Sequence, residues 1–189
     1  MGCCFDKPPN DEEWREKMED LELKCLLKSG LKEEQIDRWY TEIEMEGKPF
    51  QVRTFEFNRE LKGERKTLVV IHGYMASFVC FREWMRYCAD HYHVIAFDNC
   101  NWGLNTRSTS TYALESAENS EKWMTEFMMK TMDALEGCLP EQFFIAAHSY
   151  GAYLGALYAS IKPERVEAFF MISPMIESYK PKEYNPYKY

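Results

Sequence analysis

Among seven cysteines, at positions 3, 4, 25, 80, 88, 100 and 138 of 189 residues, no pair has C-x-x-C spacing. No charged-then-apolar leader precedes them, so the pattern speaks for reduced thiols in the cytoplasm and against a disulfide framework. No stretch of about 18 apolar residues occurs, which excludes a spanning helix. Positive charge is in deficit: 23 Lys and Arg face 31 Asp and Glu, a net charge of -8 that argues against a nucleic-acid partner. Internal repeats and low-complexity segments are absent. No cluster of His, Cys, Asp and Glu has ligand spacing, so neither a metal nor another cofactor is implied. Histidine is sparse: His72, His91, His93 and His148 are all there are. What is present is 46% hydrophobic and 15% aromatic residues, which excludes a disordered chain and allows one domain with a sizeable core.

Four stretches follow. Residues 1–10 form a tail in which Gly2 stands after the initiator methionine beside Cys3 and Cys4, a pattern open to myristoylation followed by palmitoylation. Two acyl chains would tether the chain to a membrane, although Asp6 stands where the pattern prefers Ser or Thr. The plain alternative is a flexible tail. Residues 11–20 carry six acids and two bases, so no basic patch would assist attachment. Residues 11–45 read as two helices, the first ended by Ser29-Gly30 and the second covering Lys32 to Tyr40 with Ile36, Trp39 and Tyr40 on one side. Residues 46–178 alternate strand and helix. Strands are expected at 50–57, 67–71, 93–98, 142–147 and 166–172, and helices at 81–89, 120–136 and 152–161, with Gly137 capping the second of these. Residues 179–189 are a Tyr/Lys/Pro mixture without clear structure. Thr67-Leu68-Val69-Val70-Ile71 has the continuous apolar character of a central parallel strand, and the alternation specifies a parallel α/β sheet.

The chemistry gathers where strands end. Ala147-His148-Ser149-Tyr150-Gly151 lies between the apolar run Phe143 to Ala146 and the small-residue segment Ala152 to Ala156. A serine in such a strand-to-helix elbow is held in strained geometry with its hydroxyl clear of the sheet. Ser149 is therefore the candidate nucleophile. The oxyanion donors would be the backbone N–H of Tyr150 and one from the loop His72-Gly73-Tyr74-Met75, with Tyr74 as the candidate and Gly73 allowing close approach. Elbow, His-Gly loop and strand order together specify an α/β-hydrolase core with a mostly parallel sheet. Every histidine precedes Ser149, so the order serine, acid, histidine is not completed here. The chain reads as the part of such an enzyme that comes before the lid, the last strands and the remaining triad residues.

These signals resemble the abhydrolase group that contains the N-acyl phospholipid lipases and the lipid-droplet lipase co-activator. The likeness runs from about Ile36 to Tyr189. It rests on Trp39, Leu68 to Gly73, Phe97-Asp98 leading to Trp102-Gly103, His148-Ser149-x-Gly151 and Pro163-Glu164-Arg165-Val166, with Ala147 and Asn101 standing where the group has glycine. The resemblance implies an acyl-lipid substrate, a membrane or lipid-droplet surface, and either hydrolysis or acyl transfer. Some members are silent activators of other lipases, which leaves a non-catalytic module that binds lipid or a lipase partner as the second reading.

Two histidine readings are set aside. His93 to Asp98 spells H-x-x-x-x-D, a pattern tied in this group to acyl transfer, but residues five apart on a strand point to opposite faces. Asp98 is expected to organise the turn that follows it. His148 neighbours the nucleophile, yet side chains diverge at an elbow, so it reads as packing, and His72 as a stabiliser of the oxyanion loop.

Overall fold

The computed structural model describes residues 12–175. Helix α1 (Glu12–Lys28) is followed by a hairpin of β1 (Ile36–Met45) and β2 (Lys48–Phe57), then β3 (Thr67–Ile71), α2 (Arg82–Ala89), β4 (His93–Phe97), the short α3 (Tyr112–Glu115), α4 (Ala117–Ala134), β5 (Phe143–His148), α5 (Tyr150–Ile161) and β6 (Val166–Ile172). The six strands form one sheet in the order β1-β2-β4-β3-β5-β6. The pairs β1–β2 and β2–β4 are antiparallel, and β4, β3, β5 and β6 are mutually parallel. Parallel neighbours need crossovers, and α2, α4 and α5 supply them.

Two cores result from strand alternation. Val69 and Ile71 of β3, with Ile95, Phe97, Phe143 and Ile145, pack under Trp123, Phe127 and Met128 of α4 and Leu154 of α5. Leu68 and Val70, with Phe55, Phe57, Val94 and Ala96, pack under Leu26 of α1 and Met85 of α2. Every side chain of β3 is buried, as a strand covered on both faces requires. The far edge differs. Phe170, Met171 and Ile172 of β6 are exposed, and among the described residues no strand pairs with its outer side.

The sequence expectations need three corrections. Residues 32–40, expected as a helix, form a single turn at Glu33–Gln35 and then enter β1, so the stretch 11–45 holds one helix and one strand. The alternation Thr41, Ile43, Met45 is the stronger period there. All three are buried, and the left-handed pair Glu46-Gly47 turns the chain directly into β2. Trp39 accordingly lies on a strand, its indole N–H donating to Thr41 Oγ1 at 3.0 Å. Helix α4 starts three residues early because Ser116 caps it, accepting from the Asn119 N–H at 3.0 Å. It ends at Ala134 with Leu135 as its cap. Gly137, expected in that role, does not have the positive φ a left-handed cap would need.

Helix α1 is fastened to the sheet by a buried hydrogen-bonded pair, Glu22 and Arg53. Arg53 of β2 donates through Nε to Glu22 at 3.0 Å, and its guanidinium also lies over the rings of Tyr40 and Phe55. Burial pushes the Glu22 carboxyl up to about 7 despite the opposing pull of Arg53. A carboxyl whose folded pKa exceeds its unfolded value holds its proton more tightly when folded. Its contribution is therefore largest below about pH 4.5 and declines as pH rises toward 7. Thermal melts between pH 5 and 8 should show wild type losing stability relative to Glu22→Gln as pH rises, by on the order of 1–3 kcal/mol. Parallel pH profiles for the two proteins would contradict this account.

Candidate active site

Ser149 occupies φ 52 and ψ -119, a conformation hostile to side chains, at the junction of β5 and α5. What forces it there is α5 pressing on β3. A Cβ on Gly151 would stand 2.6 Å from the Ile71 carbonyl oxygen and closer still to that of His72, so only glycine lets the helix begin at this place. One turn further, a Cβ on Gly155 would meet the Phe169 ring at 2.9 Å. The strained turn is tied to β6 by the Ser149 N–H donating to Ile172 O, and Ser149 O accepts from the Met175 N–H, both at 3.0 Å.

The loop after β3 closes over the elbow from the other side. A Cβ on Gly73 would lie 2.8 Å from His148 Nδ1 and 3.1 Å from Ser149 Cβ. A side chain here would press on the His148 ring and the Ser149 side chain, so glycine lets the loop close onto the elbow. Tyr74 follows, 64% exposed, with its ring edge-on to Trp102 and to Tyr150. Tyr150 opens α5, where N–H groups lack partners within the helix and are suited to meeting an anion. Ser149, Gly73, Tyr74, Tyr150 and Gly151 are therefore brought to one place.

His72 and Asp98 lie beneath this loop as supports. Both are fully buried. His72 Nε2 accepts from the Asn99 N–H at 2.7 Å, which leaves Nδ1 to carry the proton and donate to Gly73 O at 2.8 Å. Burial holds the imidazole pKa below its ordinary value against the pull of Asp98. With both nitrogens engaged, this neutral ring orients the loop and has no free lone pair for proton transfer. Asp98 accepts from the Phe78 N–H at 2.7 Å and the Leu104 N–H at 3.2 Å, joining the loop after β3 to the turn after β4.

His93 belongs elsewhere. At the opposite end of β4 its Nε2 bonds Glu56 at 2.8 Å and its Nδ1 bonds Thr67 at 2.9 Å, so the H-x-x-x-x-D residues do not meet. His148 is half-buried, edge-on to Phe81, and its Nδ1 has no hydrogen-bond partner among the described residues. No histidine or carboxylate bonds the Ser149 hydroxyl within residues 12–175.

Two buried asparagines that the motifs did not single out complete the framework. Asn99 donates through its side chain to His72 O, and Asn105 bridges Asp98 O and Asn99 O while accepting from the Arg53 N–H at 2.7 Å. The signal for Asn99 was its place behind Asp98 at the carboxyl end of a parallel strand, where α/β folds place their sites; Asn105 lies farther along the chain. Asn101, standing in place of glycine, adopts φ 63 and accepts from the Ser108 N–H. In front of Tyr150 opens a cleft of about 730 Å³, lined chiefly by Trp102, Leu114, Trp123, Met124 and Met175 with Tyr74 at its mouth. Burial pushes the Tyr150 hydroxyl up to about 12, keeping that wall uncharged.

The alpha/beta hydrolase fold family matches residues 66–186, a span that holds the elbow and the loop facing it. The chain belongs to the α/β-hydrolase fold family. Within it, the chain is 28% identical over 160 residues to a 1-acylglycerol-3-phosphate O-acyltransferase of Arabidopsis thaliana, covering 79% of this chain and 36% of that protein. It is 29% identical over 119 residues to the abhydrolase domain-containing protein lid-1 of Caenorhabditis elegans, covering 60% and 29%. The chain thus spans about a third of the length of the curated relatives it matches. Among solved α/β-hydrolase structures, a bacterial membrane phospholipase A superposes with a TM-score of 0.61 at 19% identity over 85% of this chain and 45% of its own. The carboxylesterase CesB of Bacillus subtilis gives 0.61 at 17% over 84% and 49%. At these identities the structures speak for the fold alone.

The Gly151 contact makes a direct prediction. Gly151→Val should destabilise the α/β-hydrolase domain by about 3 kcal/mol or more, because the added atoms meet main chain that cannot move aside. Gly137→Ala, where a Cβ meets nothing within 4 Å, should stay within about 0.5 kcal/mol of wild type. Denaturant unfolding of the three proteins checks the difference.

Proposed function

We propose that this chain carries the nucleophile and oxyanion donors of an enzyme that hydrolyses or transfers the acyl group of a lipid ester. The observation that carries the reading is Ser149 at φ 52, facing Gly73 across 3.1 Å from the position of a glycine Cβ. In this proposal Ser149 Oγ attacks the ester carbonyl carbon, and the developing oxyanion is met by the N–H groups of Tyr150 and Tyr74. The acyl chain lies in the cleft against Trp102, Leu114 and Met124. The C–O bond to the alcohol then breaks, leaving an acyl-serine that water or an acceptor hydroxyl resolves. The base and its orienting acid are assigned to residues outside 12–175, since His72 has both nitrogens engaged. Lipid ester as substrate is supported by the apolar cleft and by the acyltransferase name of the sequence relative.

A second reading has its own support. No histidine or carboxylate bonds the Ser149 hydroxyl among the described residues, so the same cleft would serve a non-catalytic module that holds an acyl lipid or presents itself to a lipase. In either reading we place the protein on the cytoplasmic side of a membrane or on a lipid droplet, tethered through Gly2, Cys3 and Cys4, which lie outside the described residues.

The 189-residue chain should turn over p-nitrophenyl butyrate on the order of 10⁴-fold more slowly than a complete triad enzyme. Over prolonged exposure an alkyl fluorophosphonate should modify Ser149 slowly, as the missing base requires, and not Ser149→Ala, as read by intact mass. Equal labelling of both, or of neither, overturns the nucleophile assignment and leaves the binding module. Rapid turnover abolished by Ser149→Ala would show instead that the base lies within the chain.

For attachment, cell fractionation of wild type, Gly2→Ala and Cys3→Ser/Cys4→Ser should find only wild type retained with membranes. One myristoyl chain binds marginally, with an association constant of about 10⁴ M⁻¹, so the cysteines decide residence. Equal soluble fractions for all three would rule out the tether.

A further inference from the structure

Beside the cleft lies a second, smaller cavity of about 60 Å³, between the β1–β2 turn and residues 106–109 and closed by Trp123 of α4. That is several times the roughly 10–15 Å³ a single water requires. Its lining has an excess of hydrogen-bond donors. Trp123 is 3% exposed, and its indole N–H is buried without an acceptor among the described residues. Arg107 Nη1 is likewise buried without an acceptor, while its Nη2 donates to Gly103 O at 2.8 Å. Thr106 Oγ1 accepts from the Gln51 N–H and Ser108 Oγ from the Ser110 N–H, both at 3.0 Å, so each hydroxyl keeps its own proton to donate. Lys48 brings an ammonium group. The one carboxylate in the lining, Glu46, accepts the Ser110 hydroxyl at 2.8 Å.

We propose that this cavity binds a phosphate group through Arg107, Trp123, Lys48 and the hydroxyls of Thr106 and Ser108. A carboxylate offers two oxygens, too few for this number of donors, whereas the terminal oxygens of a phosphomonoester carry double charge and can meet the guanidinium, the indole and the hydroxyls together. Burial draws the Arg107 pKa below that of a free guanidinium, a cost that an anion at Nη1 offsets. The cavity shares Ser108 and Trp123 with the cleft at the elbow. A phosphate-bearing amphiphile would thus place its head in the cavity and its chain in the cleft, and in that form the inference rests on the acyl-lipid reading of the cleft. Free phosphate would need the cavity alone.

Calorimetry on the full 189-residue chain with octyl phosphate, octanol and inorganic phosphate separates these sources. Octyl phosphate should bind at least about tenfold more tightly than octanol, with inorganic phosphate competing. Arg107→Gln should lower octyl phosphate affinity about 10- to 100-fold, and the exposed Lys48→Gln by a smaller factor, with octanol binding unchanged in both. Trp123→Phe keeps the ring and removes the N–H; circular dichroism melts report whether each variant folds, and Lys48→Gln serves if the buried ones do not. Equal binding of octanol and octyl phosphate, or affinities indifferent to Arg107→Gln and Lys48→Gln, overturns the phosphate site and leaves the acyl cleft standing. Inorganic phosphate binding that depends on Arg107, with no gain from the octyl chain, supports the cavity while removing the acyl-lipid reading of the cleft.

Discussion

The close approach of α5 to β3 is the contact on which the site depends. Gly151 sits against the carbonyls of Ile71 and His72, and because no side chain intervenes the helix can begin immediately after the strand. Ser149 absorbs the sharp change of direction in its backbone, at φ 52. The same closeness allows the loop after β3 to meet the elbow at Gly73. A bulkier residue at either glycine would move a rigid element, since a packed sheet and its covering helices have no slack in which to absorb a methyl group.

Around this contact the buried polar residues act as two separate clasps at the two ends of the parallel strands. At the carboxyl ends, Asp98, Asn99 and Asn105 join the loops after β3 and β4 to each other and to β2, with His72 bonded on both nitrogens. At the amino ends, His93 links Glu56 of β2 to Thr67 of β3, and Arg59 covers Glu56 from outside. In both clasps the histidine is bonded on both nitrogens, which removes it from proton chemistry, although Asn99 Oδ1 has no hydrogen-bond partner among the described residues. The contrast lies near the cleft, where Arg107, Trp123 and His148 keep unpartnered nitrogens. Those are the groups with capacity for something not built into the fold.

The cleft and the clasps also explain why the hydrophobic face of α4 matters beyond packing. Trp123 is stacked on Phe127 and edge-on to Phe50, which fixes the indole between the main core and both cavities. Trp123, which packs in the core from α4, thus also forms part of the wall at which substrate would arrive.

Local sequence determined much of this molecule on its own. The β-branched run of β3 could only be a strand buried on both faces, and the spacing His148-Ser149-x-Gly151 between an apolar strand and a small-residue helix could only be a strained turn. Those features depend on neighbours a few residues away, which composition and period report directly. Residues 32–40 show the limit. Helical spacing of Ile36, Trp39 and Tyr40 competed with the alternation of Thr41, Ile43 and Met45, and pairing with β2 over ten residues settled it. Tertiary structure alone decided which partners hold His93, namely Glu56 and Thr67, and that His72 has no lone pair to spare. It also set Arg107 and Trp123 at one cavity from positions sixteen residues apart. Hydrogen-bond partners drawn from five different segments meet only when the sheet is assembled, and no local pattern encodes such a meeting.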